Sequence, residues 1–174
     1  MNPKSSEYSC KNWKYYLLLE DSELLALCEQ SFIKGSGRGG QKRNKSSNGV
    51  RLALFHFRAI YDNSRSLKLN QAYALRALRL QIALDLTPSY KERPKPEQSI
   101  SDLSSSVMLV KKTNSNFAYC LALLIDHFIF QQGDYKALAQ RINQSSSQLN
   151  RWITGNGYKP YFNRLKAKLT DETL

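Results

Sequence analysis

Between residues 50 and 86 the spacing of apolar side chains changes from two to about three and a half, and that change constrains the fold more than any other feature. Residues 50–60 (VRLALFHFRAI) alternate, with Val50, Leu52 and Leu54 set against Arg51 and Ala53, the pattern of a strand with one buried face. Asn63 and Ser64 punctuate the run. From Leu69 the apolar positions Tyr73, Ala77 and Leu80, with Leu75, Leu78, Ile82 and Leu84, line one side of an amphipathic helix over residues 69–86 that ends near Thr87-Pro88. Strand and helix patterns in direct succession predict an α+β fold, a small mixed sheet packed on a long helix.

The flanking sequence extends this reading. Residues 13–19 (WKYYLLL) are a short apolar run, strand or helix by pattern alone. Asp21 or Ser22 is placed to cap a helix through ELLALC, with Glu23 in its first turn. Residues 30–34 read as a short strand. Residues 88–106 hold three prolines and six serines and read as a linker or loose loop, with a short strand or more loop at 107–112. Helices follow at 117–130, 135–142, 146–153 and 158–168, with Ser145 or Ser146 as a cap and Gly155 and Gly157 as stops. The expected division is 1–87, 88–115 and 116–174, the last being a helical, basic region.

Charge then narrows the function. Lys and Arg number 26 against 14 Asp and Glu, a net charge of +12 that points to a polyanionic partner. The charge is clustered, with eleven Lys or Arg and one acid, Asp62, from Lys34 to Arg79. Arg65, Lys68, Arg76 and Arg79 decorate the long helix and its approach, and a second cluster comprises Arg151, Lys159, Arg164, Lys166 and Lys168. No apolar run is long enough to span a membrane, and the first residues do not read as a targeting peptide. Cys10, Cys28 and Cys120 are scattered without C-x-x-C spacing, which speaks against a metal knuckle and suits a reducing compartment. His56 and His127 read as structural histidines.

The chemistry is carried by Gly35-Ser-Gly-Arg-Gly-Gly-Gln-Lys-Arg-Asn44, with four glycines in six positions followed by Gln41 and basic residues. Glycines let a backbone approach a ligand closely, and successive N–H groups form anion nests. Gly35, Gly37 and Gly40 satisfy G-x-G-x-x-G, but a dinucleotide site needs an apolar helix next, and the continuation KRNKSSNG is polar. A phosphate-binding P-loop needs Gly-Lys-Ser/Thr, and Gln41 follows Gly40.

Ser36-Gly37-x-Gly39-Gly40-Gln41-x-x-Asn44, followed by Val50-Arg51-Leu52, resembles the catalytic domain of the class I peptide-chain release factors. Asn63-Ser64-Arg65-Ser66 to Asn70, leading into a Leu/Arg-rich helix, is similar to that family's Arg-Ser-Gln-x-x-Asn segment, with Leu67 at the position of the Gln. The likeness covers roughly residues 20–86, about 40% of the chain. It implies hydrolysis of the peptidyl-tRNA ester in the peptidyl transferase centre, with Gly39, Gly40 and Gln41 as the catalytic tripeptide. It further implies that Ser36, Arg38, Lys42, Arg43, Asn44, Lys45, Arg51, Arg65, Lys68 and Arg76 contact large-subunit ribosomal RNA and tRNA. Methylation of the Gln41 side chain is part of the same expectation. No cofactor or metal is expected, and the protein is read as a cytoplasmic monomer.

Only about 20 residues precede the catalytic segment, and nothing resembles a codon-reading domain, so codon-independent release from stalled ribosomes is the expected form of the activity. Residues 159–168 read as the cationic face of a packed appendage; the alternative, implied by the resemblance to small members of the family, is a basic tail in an RNA channel. The helices around 135–155 read as an RNA- or ribosome-docking appendage, and Trp152 and Tyr158 as core rather than stacking platforms. Two other readings stand beside this one: a ribosome or RNA binder without hydrolysis, and a DNA-binding regulator. The second rests on LAQRINQSSSQLNRWITG, which resembles a helix-turn-helix of the repressor type.

Overall fold

A computed structural model of the protein describes residues 13–34, 48–87 and 110–171. The chain divides into two compact units, Met1–Ala83 and Leu84–Leu174. Cys10, the glycine-rich run 35–47 and residues 88–109 of the Pro/Ser-rich stretch lie outside the described residues.

The first unit is α+β. It begins with α1 (Trp13–Leu18) and α2 (Asp21–Leu27). Glu20, rather than Asp21 or Ser22, stands at the cap of α2, and its N–H donates to the Glu23 carboxylate at 2.9 Å. Strands β1 (Glu29–Ile33), β2 (Gly49–Leu54) and β3 (Phe57–Tyr61) form a sheet in the order β1-β2-β3. Both pairings are antiparallel, so the sheet is not mixed as expected.

The run 50–60 is a hairpin rather than one strand. Phe55 takes the turn at φ 56°, a conformation in which glycine is the usual residue, and this hid the turn from the sequence. Two contacts offset the strain. Arg58 Nη1 donates to the Phe55 carbonyl at 2.8 Å, and the Phe55 ring packs edge-on against Tyr16 at 5.3 Å.

Long helix α3 (Leu67–Gln81) is capped by Ser66 Oγ, which accepts from the Leu69 N–H, and continues through Ile82–Leu86 as a π-helical turn. Ala74, Leu75 and Leu78 are buried on it. They face Val50, Leu52, Leu54, Phe57 and Ala59 on the inner side of the sheet, the arrangement the change of period predicts. The Gln81 amide accepts from the Arg58 N–H at 3.1 Å and donates to its carbonyl at 2.8 Å, closing part of the β3 edge.

The second unit is helical from α4 (Phe117–Phe130) through α5 (Tyr135–Arg141), α6 (Ser146–Gly155) and α7 (Lys159–Asp171). Val110–Lys112 are not in a strand. Helix α4 is buried almost all round, as its composition requires. Asp134 caps α5 and Ser145 caps α6, each by accepting main-chain N–H groups. Between them Asn143 turns at φ 52°, the Asn143 N–H donates to the Gln140 carbonyl, and the Gln144 N–H donates to that of Ala139. These two bonds satisfy carbonyls that a helix end leaves orphaned, and Asn is the side chain after glycine that best tolerates the left-handed turn. Among the described residues no helix is long and apolar enough to cross a membrane.

Candidate functional site

The glycine-rich segment joins the end of β1 to the start of β2. Ile33 pairs directly with Gly49, so the two roots of the segment are about 5 Å apart. Gly49 is buried in the central strand, and the space around it explains the residue. A Cβ there would meet Ile33 Cγ1 at 2.7 Å, the Ile33 carbonyl oxygen at 2.9 Å and Asp62 Cβ at 3.0 Å.

Asn48, the last residue before β2, is fixed from two sides. Its side chain donates to the Arg65 carbonyl at 3.0 Å, and its own carbonyl accepts from Asn70 Nδ2 at 2.6 Å. Asn70 is fully buried in the first turns of α3. It also donates to the Ser64 carbonyl at 2.8 Å and accepts from the Ser64 N–H at 2.9 Å. One buried amide thus ties the segment root, the bend at Ser64 and the start of α3. A buried polar side chain is stable there because every bond it surrenders to water is replaced.

Gly39, Gly40, Gln41, Ser36, Arg38, Lys42, Arg43, Asn44 and Lys45 lie outside the described residues. The other four predicted contact residues are all exposed but not gathered together. Arg65 sits in the bend beside Asn48, next to the segment root, and Lys68 lies in the first turn of α3. Arg76 lies further along α3, with its guanidinium 5.6 Å from the centroid of Tyr73, which stacks on Tyr61 at 4.7 Å. Arg51 faces the other way. Its neighbours in register are Ser31 and Ile60, on the sheet face turned from α3.

Arg79 is not a surface cation. It is 7% exposed, donates to the carbonyls of Leu17 at 2.9 Å and Leu19 at 2.7 Å, and meets the Asp21 carboxylate at 2.9 Å. Its charge satisfies the carbonyls at the end of α1 and is spent inside the fold. Helical period alone places Arg79 beside Arg76 without telling which one turns inward.

Sequence reasoning missed Asn48 altogether and named Asn70 only within the release-factor-like segment. The available signal was an Asn in a helix turn where the apolar pattern calls for a core residue. Among the described residues no group of three or more His, Cys, Asp or Glu is placed to hold a metal ion. Comparison of the chain with family models, with curated proteins and with solved structures found no match in any of the three.

Proposed function

We propose that this protein hydrolyses the ester bond of peptidyl-tRNA in the peptidyl transferase centre of stalled ribosomes, independently of a codon, acting as a cytoplasmic monomer without a cofactor. The observation that carries the reading is the Gly39-Gly40-Gln41 tripeptide within Ser36–Asn44, on a segment whose roots are Ile33 and Gly49, paired in one sheet, with Asn48 secured by Asn70. Arg65 at that root and the exposed Lys68 in the first turn of α3 suit a surrounding of RNA phosphates.

The ester is activated, so a positioned water suffices as nucleophile. The water oxygen attacks the ester carbonyl carbon, the bond to the tRNA 3′ oxygen breaks, and that oxygen takes up a proton. Gly39 and Gly40, lacking a Cβ, let main-chain N–H groups approach the tRNA end. The Gln41 N–H donates to the oxyanion as it forms, and the Gln41 side chain excludes nucleophiles larger than water. No side chain acts as a general base in this scheme.

The test is peptide release from purified ribosomes that bear labelled peptidyl-tRNA and an empty decoding site. The native protein should release the peptide. Gly39→Ala should release it roughly a hundredfold more slowly, the cost of misplacing a reacting group by about 1 Å, with ribosome binding retained. Binding by the native protein without release would instead favour an RNA binder that does no chemistry.

A further inference from the structure

The second unit carries a cluster of cations that the ester chemistry does not use. Residues 110–171 contain nine Lys or Arg and three Asp. Two of these cations share one aromatic ring. Lys159 Nζ lies 4.4 Å and Lys166 Nζ 5.9 Å from the centroid of Tyr135, so the two charges sit within about a Debye length of each other. Among the described residues no carboxylate lies within ion-pair distance of either lysine.

The platform is fixed. Tyr135 packs on Phe128 at 4.9 Å, and its hydroxyl donates to Asn163 Oδ1 at 3.2 Å. The stem of Lys166 is pressed against the turn after α4, where a Cβ on Gly133 would meet its Cγ at 3.0 Å. Lys159 also donates to Asn150 Oδ1 at 2.8 Å, which joins the lysine pair to the exposed side of α6. An anion that reaches across both lysines gains attraction from each. Holding them in place beforehand also removes much of the ordering cost of docking.

The exposed side of α6 decides what kind of nucleic acid fits. A base-reading helix directs amide side chains at adenine. Here Asn150 Oδ1 is occupied by Lys159, and Gln148 Oε1 accepts from both the N–H and the hydroxyl of Ser145, at 3.0 and 2.8 Å. The stripe left facing outward is Ser147, Arg151 and Thr154, spaced i, i+4, i+7. Short hydroxyls beside a cation match the 2′-hydroxyls and phosphates of the wide, shallow minor groove of A-form RNA, where recognition runs by shape and backbone.

We infer that the Lys159–Lys166 pair on Tyr135, together with the Ser147/Arg151/Thr154 stripe, is a docking surface for double-helical RNA, recognised by backbone rather than by sequence. The choice of RNA over DNA rests in part on the release reading above. In that setting the surface anchors the second unit to a ribosomal RNA helix.

The experiment is binding of the full chain to an RNA duplex of about 16 base pairs, and to a DNA duplex of the same sequence, over a salt series. Native protein should prefer RNA. Lys159→Gln/Lys166→Gln should weaken RNA binding roughly tenfold or more and flatten the salt dependence by about two phosphate contacts, with the native far-UV circular dichroism spectrum retained. Lys159→Arg/Lys166→Arg should restore binding, which separates charge from packing. Arg151→Gln, on the exposed stripe, should weaken binding without touching the Tyr135 platform. Undiminished RNA binding by folded Lys159→Gln/Lys166→Gln overturns the proposal, as does native binding that is stronger to DNA. Native RNA binding that is lost in this variant, with no peptide release by the native protein, supports the surface and removes only the hydrolase reading.

Discussion

Asn70 Nδ2 donates to the Asn48 carbonyl across 2.6 Å and so joins the start of α3 to the residue on which the glycine-rich segment ends. The two residues are 22 positions apart, and the bond is made in a part-buried site by a side chain that also holds both main-chain groups of Ser64. The order of this corner therefore depends on one amide.

Replacing Asn70 with Ala removes these bonds and leaves main-chain groups without partners away from water. The expected loss is about 2–4 kcal/mol. Asn70→Asp should do no better, because a carboxylate would face the Asn48 and Ser64 carbonyls where an amide donor now points. Urea unfolding followed by far-UV circular dichroism measures both, and a loss below about 1 kcal/mol for the Ala variant would contradict the role given to this residue.

Gly49→Ala tests how tightly the segment roots are drawn together. The added methyl meets Ile33 and Asp62 at 3.0 Å or less on either side of the central strand. Overpacking of this sort costs about 1–3 kcal/mol, and the strands must separate at the root. Peptide release should fall along with stability. Release that stays at the native level in a folded Gly49→Ala protein would show that the root spacing does not matter.

At Arg79 the carbonyl bonds and the ion pair can be ranked. Asp21 is 66% exposed in its side chain, so water screens the pair and Asp21→Asn should cost less than about 1 kcal/mol. Arg79→Leu strips the Leu17 and Leu19 carbonyls of their donors and should cost about 2–3 kcal/mol. Equal losses in the two variants would mean that the ion pair, not the main-chain bonds, dominates.

Burial pushes the Cys28 thiol up to about 11, with the Arg79 guanidinium pulling the other way, and Cys28 Sγ donates to the Leu24 carbonyl at 3.1 Å. Folding raises this pKa above that of the unfolded thiol. Its contribution to stability is therefore complete below the unfolded value near 9 and is lost as the pH climbs towards 11. Thiolate is the reactive form, so alkylation of Cys28 at pH 8 should be roughly tenfold or more slower in the native protein than in urea. Peptide mapping by mass spectrometry reads the site directly. Equal rates would place the thiol in solvent.

The sequence by itself determined the α+β class and the placement of most helices. Their signals are local: a change of period near Asn63, a cap at Ser145, and an apolar run at 117–130 that can only be buried. The tripeptide Gly39-Gly40-Gln41, on which the functional proposal stands, is likewise a property of consecutive residues. Tertiary structure decided what depends on partners distant in the chain. Phe55 turns the 50–60 run into a hairpin because Tyr16 and Arg58 support a conformation its own side chain disfavours. Arg79 is drawn inside, and Arg76 left outside, because the end of α1 offers carbonyls to one and not the other. Lys159 and Lys166 become a pair because Tyr135, more than 20 residues earlier in the sequence, lies beneath both. Periodicity and composition record the average environment of a side chain, whereas its partner is fixed only when distant segments meet.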